Sequence, residues 1–332
     1  GNVYILAKGV FDGLLQFNSS DDFIGFVGSN EVDASVIDVL WKKIATKRQR
    51  EQYAKTVPVE FNNIDIDSKG FVYTVTASIT NSPEASENVR KQTAKGTNIL
   101  KTSELYGNVI GDLDFPLTWE LATASGSSSF SDVSAASSYG FLALDSNHGR
   151  VFVYNDDSDL LFAIGGKGTV EGAFKKPTAI ATSGDRIIVL DSEVRSITVF
   201  RYTDYGKAIL AAQQSYTDGD YEQSVTEWKA VLKQNSNLRI GYSGIAKSYI
   251  MLGEYKRGMH YAKLADDQTT YSKAFKYYRK EALKDNFLWL LIGLAAVAGA
   301  AYAIARVLKA KRVGERLSAS PVWSGISYSK YI

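Results

Sequence analysis

Apolar and polar positions alternate with three different periods along this chain, and each period predicts a different kind of element. The longest apolar run, FLWLLIGLAAVAGAAYAIARVL from Phe287 to Leu308, holds 21 uncharged residues and carries Arg306 in its last turn. At 1.5 Å per residue such a helix spans ~30 Å, the thickness of the hydrocarbon core of a bilayer. It lacks the polar stripe that a helix packed on a soluble core turns toward water. The run predicts one transmembrane helix over 287–308. Ala295, Gly299 and Ala303 recur every four residues, which puts small side chains on one face where a second helix can approach closely.

The flanks of that run differ in charge. Arg306, Lys309, Lys311, Arg312 and Arg316 follow it with Glu315 opposing them, whereas Arg279, Lys280 and Lys284 precede it beside Glu281 and Asp285. Basic residues concentrate on the cytoplasmic side. The expectation is a cytoplasmic basic segment over 309–332 and a large N-terminal region outside the cell, with Trp289 as an interfacial anchor.

From 205 to 286 the apolar period is helical. Gly219-Asp220-Tyr221 and Gly253-Glu254-Tyr255 stand 34 residues apart, each between two amphipathic stretches. Small Ser224 and large Trp228 follow the first turn; Gly258 and Ala262 follow the second, with Ala246 and Tyr249 on the helix before it. Small residues let paired helices cross closely, an aromatic fills the gap between them, and Gly permits the turn. A further helix over 271–284, with Tyr271, Phe275, Tyr278 and Leu283, is expected to cap the stack and lead into the membrane run.

From 1 to about 201 the period is two. A phrase of short strands separated by Gly, Asp and Asn turns recurs in GNVYILAKGVFDGLLQFNSSDDFIGFVG, IDIDSKGFVYTVTAS, YGFLALDSNHGRVFVYNDDSDLLFAIGGKG and KPTAIATSGDRIIVLDSEVRSITVF. Such repetition indicates antiparallel sheets arranged as a propeller of about 3.5 blades. The stretch 33–57 breaks it with an amphipathic helical insertion carrying the basic run Lys47-Arg48-Gln49-Arg50. The chain opens on Gly1 and strand-like 2–6 without a Met or signal segment, so the expectation is of a chain whose original N-terminal end is lost.

Composition narrows the chemistry. A net charge of +2 without a basic patch gives no support for a nucleic-acid partner. The absence of cysteine excludes disulfides and thiolate metal sites. Asp65-x-Asp67-x-Lys69-Gly70 lacks the later ligands of an EF-hand, with Thr76 where the bidentate Glu belongs, and reads as a β-turn. GGKGT at 165–169 lacks the spacing of a phosphate loop. Asp156-Asp157-Ser158-Asp159 reads as a hairpin turn. Asp145, Asp191 and Asp67 lie near strand ends, where carboxylates could face a channel. No cofactor, metal site or catalytic constellation emerges.

Three resemblances follow from these residues. The stretch 151–200, with the connector Gly165, Gly168, Gly172, Phe174 and Pro177, resembles NHL repeats, a family of propeller blade. The 34-residue units resemble tetratricopeptide repeats, with Gly219, Tyr221, Trp228, Gly253, Tyr255 and Ala262 as the signature. Lyases of the NHL type use a histidine-bound metal, and His148 and His260 cannot supply three ligands; lactonases of the propeller class hold calcium with carboxylates. The order of propeller, helical repeat and membrane helix resembles a family of bacterial membrane proteins in which a Yip-type membrane domain follows the first span. The resemblance implies a truncated membrane domain and an extracellular, non-enzymatic binding scaffold accessory to carbohydrate uptake. Its implied partners are the membrane, a protein such as a transporter, and a glycan; a calcium-dependent lactonase is the alternative.

Overall fold

The computed structural model describes residues 1–10, 12–28, 60–76, 88–100, 110–111, 128–136 and 139–318. The insertion expected over 33–57 and the end of the basic segment, 319–332, lie outside these. Among the described residues thirteen strands come first and six helices follow.

The strands form four antiparallel sheets in chain order. The first comprises β1 (Val3–Ile5), β2 (Leu14–Phe17) and β3 (Phe23–Val27); the second β4 (Phe61–Ile66), β5 (Val72–Thr76) and β6 (Val89–Gln92). The third comprises β7 (Phe130–Ala136), β8 (Gly140–Asp145), β9 (Arg150–Asn155) and β10 (Leu160–Gly165). The fourth is built of β11 (Pro177–Ser183), β12 (Arg186–Asp191) and β13 (Ser196–Arg201). Strand β7 is absent from the recurring phrase in the sequence. Asp132 and Ser134 interrupt its apolar alternation, and both are buried.

Side-chain alternation explains how the sheets pack. Every residue of β8 is buried, because a sheet lying between two others must be apolar on both faces. Phe141 and Ala143 join Tyr73, Val75 and Val89 of the second sheet. Leu142 and Leu144 point the other way and meet Ile180, Ile187 and Val189 of the fourth. Leu14 of the first sheet packs on Phe61 and Val72 of the second. Each sheet thus lies against its neighbours in sequence.

The leading strands β4, β7 and β11 adjoin one another and share one irregularity. In each, register shifts after the first residue: between Phe61 and Asn63, between Phe130 and Asp132, and between Pro177 and Ala179. A bulge at this place re-aims the next side chain. Asp132 accepts a hydrogen bond from the Ile180 amide at 2.7 Å, and Asp65, further along β4, accepts one from the Ala135 amide at 2.8 Å, so each leading strand is tied to the next.

The helices are α1 (Asp204–Thr217), α2 (Tyr221–Gln234), α3 (Arg239–Met251), α4 (Tyr255–Leu264), α5 (Gln268–Asp285) and α6 (Phe287–Ser318). Neighbours in sequence pack together from α1 to α5, and α1 also touches α3, which touches α5. Thr203, Asp220 and Asp267 cap α1, α2 and α5 by accepting from amides in their first turns. Sheets and helices share a core: Ile209, Trp228, Val231, Ile245 and Tyr249 belong to the same cluster as Leu142 and Val153.

Helix α5 begins three residues before the expected 271, and α6 continues ten residues past Leu308, so 309–318 extend the apolar helix. Its 26-residue stretch Phe287–Arg312 is long and apolar enough to cross a membrane, with a mean hydropathy of 2.2 in its most apolar part, and that part is not buried.

Candidate functional site

The turn between β9 and β10 is where sheets and helices are joined by charge. Asn155 ends β9 and organises it: its Oδ1 accepts from the amides of Asp157 and Asp159 at 2.9 and 2.8 Å. This Asx geometry leaves the three acidic side chains of the turn, Asp156, Asp157 and Asp159, to point outward from the loop. Asp156 meets Lys91 of β6 at 2.7 Å, and the Lys91 ammonium also lies over the rings of Phe71 and Tyr73. On the opposite side, Lys247 of α3 reaches Asp157 at 3.1 Å and Asp159 at 2.5 Å. The Asn155 amide donates to Gln213 of α1 at 3.3 Å.

Gln213 and Lys247 are 34 residues apart, so equivalent positions of the two helical units address one turn. Burial alone would lower the Lys247 pKa. The carboxylates of Asp159 and Asp157 more than offset this and hold the ammonium above its ordinary value. A cavity of about 10 Å³, room for a single water, lies among Asp157, Gln213, Trp228, Gly244 and Lys247. The buried Trp228 indole N–H, without a hydrogen-bond partner in the structure, lines it.

Close approach of α2 and α3 explains two mid-helix glycines. A Cβ at Gly244 would fall 2.4 Å from Trp228 Nε1, and one at Gly241 would fall 2.8 Å from Leu232 Cδ2. Glycine inside a helix is unfavourable by about 1 kcal/mol against alanine, and here the contact requires it.

The expected signature residues lie as follows. Gly219 and Gly253 have φ of +88° and +78° in the turns before α2 and α4. Each turn makes the same pair of bonds: Gly219 N–H to Tyr216 O and Asp220 N–H to Ser215 O, then Gly253 N–H to Ile250 O and Glu254 N–H to Tyr249 O. Tyr221 stands edge-on to Tyr216, and Tyr255 stacks on Tyr277. Trp228 and Ala262 are buried. Ala295, Gly299 and Ala303 are exposed on α6, and nothing lies within 4 Å of a Cβ built on Gly299. Beside Tyr255, an open cleft of about 260 Å³ is lined by Lys256, Arg257, Tyr278 and Glu281.

The aspartates weighed for a channel serve local turns instead. Asp145 accepts from the Ser129, Asn147 and His148 amides and from the Ser128 hydroxyl, and its Oδ2 lies 2.6 Å from His148 Nδ1. Asp191 holds the equivalent place in the fourth sheet. Burial pushes its pKa up, yet amides of Lys175, Val194, Lys176 and Glu193 overcome that and hold it below the usual carboxylate range. Asp67 accepts from the Lys69 and Phe71 amides in its β-turn. Among the described residues no group of three His, Asp or Glu side chains could hold a metal ion.

No family model matches this chain, and no curated protein matches it.

Lys247, Gln213, Lys91 and Gly244 escaped the sequence reading. The 34-residue spacing of Gln213 and Lys247, and the glycines inside a predicted helix, were the available signals.

Proposed function

We propose that this chain is a membrane-anchored, non-enzymatic binding scaffold. In this reading its four sheets are consecutive blades of an NHL-like propeller, α1 to α4 are two tetratricopeptide-like units capped by α5, and α6 crosses the bilayer. One observation carries it: an apolar helix exposed on every side continues within two residues of a helical stack that is itself locked to the sheets. Twenty-six apolar-rich residues in water would expose a surface that soluble proteins avoid, whereas lipid accommodates it.

The excess of basic residues after the apolar run favours, in this reading, sheets outside the cell and a cytoplasmic segment after α6. The sheets and the open cleft beside Tyr255 and Tyr278 then engage an extracellular protein or glycan, and a carbohydrate transporter is the partner class favoured by the family resemblance. Because the chain lacks cysteine, single substitutions report its topology cleanly. Ser192→Cys is expected to react with an impermeant maleimide on intact cells, and Lys309→Cys only after permeabilisation. The same labelling for both, or release of the chain by alkaline carbonate, would overturn the anchor. Calcium-dependent lactone hydrolysis by the full chain in nanodiscs would overturn the non-enzymatic reading.

A further inference from the structure

Helix α5 sorts its charges by side. Lys273, Lys276, Lys280 and Lys284 follow one another at intervals of three, four and four, so they form a single stripe along the helix, with Arg279 beside it. All five are exposed. The two carboxylates of the same helix, Glu281 and Asp285, come 7 and 11 residues after the buried Ala274 and therefore share its face, the side that α5 turns to the stack.

On that packed side charge is balanced. Arg257 of α4 meets Glu254 at 2.6 Å, and Lys256 and Glu281 line one cleft. The free side has no such balance. Among the described residues none of the four lysines belongs to an ion pair, and the Arg279 guanidinium lies over the Phe275 ring. Like charges four residues apart, as in Lys276–Lys280 and Lys280–Lys284, work against the helix that carries them. A polar outer face suffices to cap a helical stack, and mixed charge would supply it; a face of one sign fits an anionic surface.

The stripe runs down to the apolar helix. The Asn286 amide donates to Ala282 O at 3.1 Å, and the Asn286 carbonyl accepts from the Leu290 amide at 2.9 Å, so helical hydrogen bonding passes from α5 into α6 without a linker. Height above the apolar run, which opens at Phe287, can thus be counted at ~1.5 Å per residue. Lys284 stands ~5 Å above it, inside a headgroup layer of ~5–8 Å. Arg279 and Lys280 stand ~10–12 Å above it, within a Debye length of ~8 Å from that layer. Lys273, ~21 Å above it, lies beyond that reach.

We propose that this stripe binds the anionic phosphate headgroups of the leaflet that α6 enters. The proposal rests on α6 crossing the bilayer, and it holds for either orientation because it concerns whichever leaflet meets Phe287. Lys284 contacts the phosphates directly, while Arg279 and Lys280 are drawn to them through a short layer of water. The anionic layer offsets the repulsion along the stripe and tips the helical stack toward its lysine side.

The chain lacks cysteine, so Leu283→Cys, an exposed position between Lys280 and Lys284, can carry a single fluorophore. The full chain bearing it is placed in phosphatidylcholine nanodiscs that contain equal small fractions of doxyl-labelled phosphatidylglycerol or doxyl-labelled phosphatidylcholine, and short-range quenching is compared. Attraction of the size usual for one lysine at an anionic surface enriches the anionic lipid about fivefold at the label. The quenching ratio should therefore exceed one by a wide margin and fall to one in high salt. Lys284→Gln should lower the ratio most, Lys280→Gln less, and Lys273→Gln not at all, each with unchanged circular dichroism. Equal quenching by the two lipids overturns the proposal and leaves the anchor standing. So do equal losses in Lys273→Gln and Lys284→Gln, which would assign the stripe to an acidic macromolecule lying along the whole helix. Quenching by neither lipid would mean that the end of α5 is not at a bilayer, and overturns the anchor together with the proposal.

Discussion

The helical and the sheet halves both repeat, but by different means. The helices repeat in their letters: Gly219 and Gly253, Tyr221 and Tyr255, and the two pairs of turn hydrogen bonds all recur at 34 residues. The sheets repeat in their hydrogen-bond register, with one shift after the first residue of β4, β7 and β11, while the residues there vary among Phe, Asn, Asp, Pro and Ala. A helix crossing is governed by side-chain size, which few residue types satisfy. A bulge is governed by backbone pairing, which many satisfy.

The strongest way to break this contrast is at the helix crossing. Trp228→Ala is expected to cost about 3–5 kcal/mol, the usual range for removing a buried aromatic. Gly244→Ala approaches that, because its Cβ would overlap the Trp228 ring. Urea denaturation followed by circular dichroism checks both. If size governs the crossing, Gly244→Ala and Trp228→Ala are non-additive in a double-mutant cycle; additivity would refute the shared contact.

The junction is next. Lys247→Met keeps the stem but leaves Asp157 and Asp159 facing each other, at an expected cost of about 2–3 kcal/mol, less than a fully buried pair because all three are partly exposed. Asp157→Asn together with Asp159→Asn in the Lys247→Met background should recover part of that loss. A Lys247→Met chain as stable as the parent would remove the turn from its role as the charged joint.

The sheet half is sharpened through Asp132. Burial pushes its pKa up from 3.8 to about 6; the amides of Ile180 and Val133 act against this, and Asp65 adds to it. The folded state therefore holds a proton that the unfolded state releases near pH 4. Stability from this group is present below that value and lost as pH rises through about 6, on the order of 3 kcal/mol over the window. Asp132→Asn should flatten the slope of unfolding free energy between pH 4 and 6: it lowers stability at acid pH, where its single oxygen replaces the two that meet the Val133 and Ile180 amides, and the deficit shrinks as pH rises through about 6, where the parent alone buries a charge. An unchanged slope would show that another group titrates there.

What the sequence made legible follows the same division. The membrane-length run, the 34-residue period and the strand-rich N-terminal region are all visible in periodicity, because each rests on apolar spacing. Strand β7 was not, since Asp132 and Ser134 are buried polar residues that reach partners 48 residues away, Ile180 and Thr182. Lys247 was hidden for a related reason: its carboxylates lie about 90 residues earlier, in a turn whose Asp-rich letters describe its own geometry equally well. Asp145 and Asp191 show the converse. Their placement at strand ends fitted either a channel or a local turn, and turn amides, joined at Asp145 by the Ser128 hydroxyl and His148, take their oxygens.

The smallest effect lies at the end of α4, where the helical half departs from its own rule. Asp266 occupies φ +52°, and the turn makes the same bonds as the two glycine turns, Asp266 N–H to Lys263 O and Asp267 N–H to Ala262 O. Aspartate tolerates the left-handed region better than most residues but still at a cost that glycine avoids. Its ion pair with Arg239, at 3.9 Å and almost wholly exposed, contributes nearly nothing. Asp266→Gly should therefore stabilise the chain by a few tenths to about 1 kcal/mol, the gain in backbone strain being partly offset by a more flexible unfolded state. Thermal unfolding resolves that shift. Gly253→Asp, the reciprocal exchange, should lose a similar amount, and equal stability of both variants with the parent would mean that the α4 turn and the glycine turns do not obey one backbone rule.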